Sequence, residues 1–331
     1  MKTSVEYSDL IAAPINRLSD SFFKFVLASP ERKHITIAFL NAVLNHYVPA
    51  GEKPIEIEDV EFLDRETAAH VEGLKSSRFD VFARSKDGRR FHIEVQNVKE
   101  KFFMKRSFYY AASDYMTQLE HGMSYERLEP VIFIGLMNFT LFGSPERPEK
   151  WYSLHRFMNV ESHEHTFSEV EFHMVEMPLL RRYLAKTEIK PKDYFEEILC
   201  YFGNIGGDEL MEEIAERNPT VAELRLAESI FRKDPIAFRN YLINERARID
   251  EEYNRRYERE ESREEGREEG RRKGLEEGRA EGREVGLAEG REVGLAESRN
   301  DIARSLRLQG ILTDEQIAQA VNMPVELVAK L

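Results

Sequence analysis

Asp80, Glu94 and Gln96 are the residues of this 331-residue chain whose types and spacing could do chemistry together. They lie in the runs Arg78-Phe79-Asp80-Val81-Phe82-Ala83 and Arg90-Phe91-His92-Ile93-Glu94-Val95-Gln96, connected through Lys86-Asp87-Gly88. Each run alternates with the two-residue period of a strand. Phe79, Val81 and Ala83 share one face with Phe91, Ile93 and Val95, while Asp80, His92, Glu94 and Gln96 take the other. The Asp-Gly step marks a hairpin, and its register follows by elimination. A two-residue loop would set Val81 against Glu94 and mix the faces. A three-residue Lys86-to-Gly88 loop pairs Phe79 with Val95, Val81 with Ile93 and Ala83 with Phe91, and it suits glycine in the left-handed position at its end. That register places Asp80 opposite Glu94, with Gln96 two residues along on the same face.

Two carboxylates facing each other across a ladder repel at up to about 1 kcal/mol, and apolar neighbours add to the cost. A hard divalent ion such as Mg²⁺, or Mn²⁺ in its place, would neutralise them. It would keep several waters, one of which could attack a phosphodiester. Gln96 would position that water or the phosphate, but an amide cannot supply the cation that a lysine would. The plain alternative is a solvated sheet face carrying ordinary polar residues. The metal reading needs oxygens that converge on a shared cation, and it collapses if they point away from one another or if one of them is sealed by an arginine.

Two neighbouring features favour a nucleic-acid substrate. From Arg84 to Arg106 eight basic residues stand against three acidic ones, a local charge of +5 in an acidic chain, as a phosphate-tracking surface requires. The following helix carries Arg106, Tyr109, Tyr110 and Gln118, with Tyr125 just beyond Gly122, and aromatic side chains beside arginine can stack bases. For most of Phe102, Phe103, Tyr109 and Tyr110 the expected role is instead core packing. His163 and His165 lack a matching carboxylate or cysteine cluster, so metal binding is not expected there. Neither a phosphate-cradling glycine loop nor a serine-nucleophile elbow is present.

The elements needed to hold the hairpin read as mixed α/β. A capped amphipathic helix begins at Ser19 or Asp20 and carries Phe22, Phe23, Phe25, Val26 and Leu27, and a second runs from about 31 to 44. Strands are expected at 54–63, 78–84, 89–97, 130–137, 151–160 and 165–176, with a helix at 101–121 and mostly helical sequence from 179 onward. After about residue 250 the composition changes. Residues 251–299 contain 16 Glu against 12 Lys and Arg, with glycine every fourth position from Gly266 to Gly294. Charges at i,i+4 favour a solvated helix, whereas each glycine costs about 1 kcal/mol, so a marginal helix is expected. A four-residue step drifts about 40° around a helix, so the glycine line holds no single face. A spacer is therefore favoured over close self-association. Residues 300–331 regain apolar periodicity, with Thr313 and Gln316 as a capping box and Met323-Pro324 opening a last short helix. This segment reads as a small docking or oligomerisation element.

Composition bounds the remaining possibilities. The chain carries a net charge of −13, so DNA binding must come from a local surface. A single cysteine, Cys200, excludes disulfide frameworks and multi-cysteine zinc modules and points to a cytoplasmic location. The longest uncharged apolar stretch, 131–143, is too short to span a bilayer, and no export or membrane segment is expected.

Taken together, Asp20-Ser-Phe-Phe-Lys24, Lys75 and Arg78 leading into Phe79-Asp80-Val81, the Ile93-Glu94-Val95-Gln96 strand, Arg106 with Tyr109-Tyr110, and Gln118 through Tyr125 to Pro130-Val131-Ile132 resemble the recombination-promoting nuclease and transposase family of the PD-(D/E)XK superfamily. The resemblance covers roughly residues 15–185, and Arg-Glu-Gly repeat tails are common among such proteins. It implies a restriction-endonuclease-like mixed sheet flanked by helices, and Mg²⁺-dependent cleavage of DNA that feeds recombination or transposition. Asp80 and Glu94 match the metal-binding acids, and Asp20 would be a helper acid on a helix. Gln96 stands where the superfamily has lysine, in agreement with this family's usual form. Lys75, Arg78, Arg106, Tyr109 and Gln118 would contact DNA. The implied organisation is a nuclease-like domain at 1–190, a helical extension at 191–250, the spacer at 251–299 and the terminal element at 300–331, through which the chain could self-associate. The competing reading is an inactive nuclease-fold module that binds DNA or protein and assembles through its tail.

Overall fold

The computed structural model describes residues 11, 13–63 and 80–331. Its contacts divide the chain into two units, Met1–Ile249 and Asp250–Leu331.

In the first unit, α1 (Asp20–Leu27) starts where the Ser19 hydroxyl accepts from the Phe22 amide, and it buries Phe22, Phe23, Val26 and Leu27. α2 (Lys33–His46) buries Ile35, Phe39, Leu40, Val43 and Leu44, the i, i+4 stripe of a helix lying on a core. The strands are β1 (Val60–Phe62), β2 (Val81–Ser85), β3 (Arg90–Gln96), β4 (Val131–Met137), β5 (Tyr152–Met158) and β6 (His165–Glu176), with α3 (Phe103–Met116) following β3. They form one six-stranded sheet in the order β1-β2-β3-β4-β6-β5. β3, β4 and β6 run parallel, and the outer pairings are antiparallel. All seven residues of β4 are buried, as expected of a central strand covered on both faces.

Val81, Ala83, Phe91, Ile93, Ile134 and Leu136 face a core closed by α1, α2 and the later helices α4 (Met177–Lys186), α5 (Tyr194–Phe202), α6 (Gly207–Arg217) and α7 (Pro219–Lys233). That core reaches to Tyr241 and Leu242, so the helices after residue 190 share it with the sheet. The opposite face packs Phe133, Phe172 and Met174 against Phe103 and Ala111 of α3. Gly135 permits this close layer, because a Cβ there would come within 2.9 Å of Met174 Sδ.

The hairpin register is the expected one, with Val81 opposite Ile93 and Ala83 opposite Phe91. The Ser85 amide donates to Arg89 O at 2.8 Å, and Gly88 takes the left-handed conformation at φ +96°. Phe79 lies outside the described residues. The polar face, however, is not solvated. His92 and Glu94 are buried where α3 supplies Asp114 and Arg106, and Asp80 is buried beside Lys24 of α1. Asp114 of α3 makes this possible by forming a bidentate pair with Arg90 (2.6 and 3.0 Å) and meeting His92 Nε2 at 2.7 Å. Burial pushes the Asp114 carboxyl upward, but its bonds to His92 and Arg90 outweigh that and hold it below the usual carboxylate range.

Beyond the sheet units, α8 (Pro235–Gln309) is one continuous helix of 75 residues that takes in the whole glycine repeat. Residues 251–299 are exposed, and nothing lies within 4 Å of where a Cβ would stand on Gly266 to Gly294. In the second unit, Ala303 packs with Ile317, Ala318, Val321 and Val328. α9 (Asp314–Val321) opens on the Thr313–Gln316 capping box, and α10 (Val325–Val328) follows Pro324. Among the described residues no helix is long and apolar enough to cross a membrane.

Candidate active site

Asp80 directly precedes the Val81–Ile93 pair and Glu94 directly follows it, so both lie at the end of the hairpin away from its turn. Each residue retains only 8% of its exposure. Asp80 Oδ2 accepts from the Val95 amide at 2.8 Å, and Oδ1 lies 3.2 Å from Lys24 Nζ. Asp20 shares the same ammonium, to which it is ion-paired one helical turn away, and it hydrogen-bonds the Asp80 side chain. Burial and that bond to a second carboxyl push Asp80 up to about 7.

Glu94 is raised as well, chiefly by burial, with Arg106 working against the shift. Its Oε1 accepts from Arg106 Nη2 at 3.0 Å, whereas Oε2 is buried with no hydrogen-bond partner among the described residues. The arginine therefore seals one Glu94 oxygen, the arrangement named above as counting against the metal reading, and leaves the buried Oε2 unbonded among the described residues. The same Nη2 donates to Gln96 Oε1 at 2.9 Å, and Nη1 pairs with Glu100. The Gln96 amide donates in turn to Val98 O and Glu100 Oε1, both at 3.0 Å. Arg106 and Gln96 thus fix each other, and the docking of α3 through Asp114 holds the arginine over β3.

Asp20, Lys24 and Asp80 form one group and Glu94, Gln96, Glu100 and Arg106 a second, with the Lys24 charge acting on Glu94 between them. Tyr109 lies on α3 one turn beyond Arg106, half-exposed, with its ring 5.9 Å from that of Tyr110. Burial raises the Tyr110 hydroxyl, with Glu94 and Glu100 adding to the rise and Arg106 opposing it. Lys75 and Arg78 lie outside the described residues. Gln118 does not reach either group: its amide donates to Glu129 O at 2.9 Å and accepts from Glu129 N at 2.7 Å, so it clamps the approach to β4. The expected core role of the aromatic run holds for Phe103, which is buried. Phe102, just outside the helix start, and Tyr109 are exposed instead.

Lys24, quoted in the sequence motif above but given no role there, joins Asp20 and Asp80. Its signal was the i,i+4 spacing from Asp20, which puts an ammonium on the same helix face as the acid.

The residues present fit a divalent cation. The donors are hard carboxylate oxygens, one of them an orphaned buried oxygen, and burial opposes charge on both acids. Among the described residues no three His, Cys, Asp or Glu side chains form a ready-made metal cage. Mg²⁺ needs no such cage, because it binds through one or two carboxylates and keeps its waters.

No match was found among curated proteins or among solved structures. A family model described as PD-(D/E)XK nuclease family transposase matches residues 17–258, which takes in the sheet, the acid pair and the helices that close the core. The chain belongs to the PD-(D/E)XK nuclease family transposases.

Proposed function

We propose that the protein is a Mg²⁺-dependent DNA endonuclease, also able to use Mn²⁺, whose cuts serve recombination or transposition in the cytoplasm. Asp80 and Glu94 hold the metal, with Asp20 as helper acid, and Gln96 positions the attacked phosphate or the water. A divalent cation between these oxygens would supply positive charge to the phosphodiester and its attacking water. Lys24 provides the ammonium that the Gln96 amide cannot, 3.2 Å from Asp80. Arg106 holds Glu94 and Gln96 in one orientation, and with Lys75, Arg78 and Tyr109 it contacts the DNA. The observation that supports this reading is the buried Glu94 Oε2, unpartnered among the described residues, one position from Val95, whose amide binds the buried Asp80 carboxyl.

Asp80→Ala and Glu94→Ala are each expected to abolish Mg²⁺-dependent nicking of supercoiled plasmid while leaving circular dichroism and thermal unfolding intact. The Arg106–Glu94 pair favours one second reading, a non-catalytic nuclease-fold binding module assembled through its tail. Wild-type protein that cuts no form of DNA with Mg²⁺ or Mn²⁺ would establish that reading in place of the first. Calorimetric metal titration with and without DNA, comparing wild type with Glu94→Gln, separates a held metal from a closed ion pair.

A further inference from the structure

Phe102, Lys105, Arg106 and Tyr109 fall within about 100° of one another around α3 and its leading residue, so they form one stripe. Arg106 reaches inward from this stripe to Glu94, and the other three stay in solvent. Phe102 keeps 59% of its exposure and Tyr109 38%. Lys101 Nζ and Lys105 Nζ stand 5.5 and 5.9 Å from the Phe102 ring centroid. The two exposed rings are separated by about 10 Å along the helix axis.

An exposed phenylalanine flanked by two ammonium groups gains nothing from the fold itself. Intact duplex DNA offers it only phosphates and groove edges, because the base faces are hidden in the stack. An unpaired strand offers a base face to each ring and phosphates to the lysines beside Phe102, the combination that single-strand sites use. The Lys101 and Lys105 ammonium groups beside the Phe102 ring select a polyanion as the occupant.

We infer that this stripe is a stacking platform for unpaired DNA, and that the acid site beside it acts on single-stranded or frayed segments in preference to intact duplex. The inference rests on the DNA reading above and names the form of DNA. Phe102 and Tyr109 grip bases on one side of the strand, Lys101 and Lys105 neutralise its phosphates, and Arg106 marks where the strand enters the acid pair.

Fluorescence anisotropy of the full-length protein in EDTA tests this without cleavage, using a labelled 20-base oligothymidylate and a labelled 20-base-pair duplex. The single strand is expected to bind more tightly at equal salt. Phe102→Ala and Tyr109→Ala should each weaken single-strand binding about tenfold, with little effect on the duplex and none on the salt slope. Lys101→Ala and Lys105→Ala should instead flatten that slope by about 0.7 each. Unchanged melting temperatures are expected for all four variants, since these side chains are exposed. Tighter duplex binding, or an aromatic double variant that binds the oligothymidylate like wild type, overturns the proposal. Should wild type bind the single strand through these rings yet never cut, the nuclease reading falls and the platform stands. Should it cut plasmid while the double variant keeps full single-strand affinity, only the platform falls.

Discussion

Lys24 touches Asp80 and Asp20 and influences Glu94, so it stands where negative charge is most concentrated. A phosphodiester entering such a site adds further negative charge, which grows as the attacking oxygen closes on phosphorus. Gln96 is neutral, and the Arg106 guanidinium is already shared among Glu94, Gln96 and Glu100. Lys24→Met is therefore expected to lower turnover about 100-fold, the scale for losing one preorganised charge donor. Metal affinity should not fall, because the variant also removes a cation competing for the Asp80 oxygens. The double variant Lys24→Met, Gln96→Lys should recover part of the turnover by returning an ammonium from β3. Plasmid-nicking rates and a calorimetric metal titration read both quantities, and a Lys24→Met enzyme as fast as wild type would show that the ammonium only balances charge in the resting protein.

α3 decides whether the polar face of the hairpin is an active site or a wet surface, and Asp114 decides where α3 sits. Replacing it with asparagine leaves Arg90 only the more distant Glu129 carboxylate, 3.8 Å away, so Asp114→Asn is expected to cost about 3 kcal/mol at neutral pH by urea unfolding. The pH dependence has a definite sign. The folded carboxyl of Asp114 lies below its unfolded value, so its contribution is complete above the unfolded carboxyl range near 4 and is lost as pH falls through the folded value. The stability gap between wild type and Asp114→Asn should therefore narrow on acidification below about pH 4. A gap independent of pH would assign the loss to packing. This is also where legibility stopped. The alternation around Asp80 and Glu94, the Asp-Gly step and the rule that paired residues share a face sufficed for the register and for the left-handed Gly88. The same alternation also fits a half-solvated antiparallel sheet, and nothing local reveals that Arg90 and His92 meet an acid more than twenty residues away. Gln118 marks a similar limit. Polar side chains that close a backbone gap carry the same letters as those that touch a substrate, and only the Glu129 contact tells them apart.

At the scale of the whole molecule, the charge of −13 and the local excess of +5 have different homes. The basic excess follows the hairpin and the start of α3, whereas residues 251–299 of α8, with 16 Glu against 12 Lys and Arg, contribute −4. That stretch is helical in spite of its glycines. Pairs such as Glu251–Arg255, Glu252–Arg256 and Glu269–Lys273 supply i,i+4 support along it, each worth a few tenths of a kcal/mol. Support of that size does not offset eight glycines at about 1 kcal/mol apiece, so helix propensity is the weakest part of this segment. Within the chain the glycines make room for nothing, since no atom lies within 4 Å of the missing Cβ positions. Replacing Gly282, Gly286, Gly290 and Gly294 with alanine is expected to add roughly 4 kcal/mol of helix stability, seen as a stronger 222 nm signal that persists to higher temperature. Plasmid nicking by the full-length variant should be unchanged, because α1, α3 and the hairpin are untouched. If the four alanines instead abolish self-association measured by sedimentation, the glycine line is a contact surface between copies, and the spacer interpretation gives way to the close helix pairing it was weighed against.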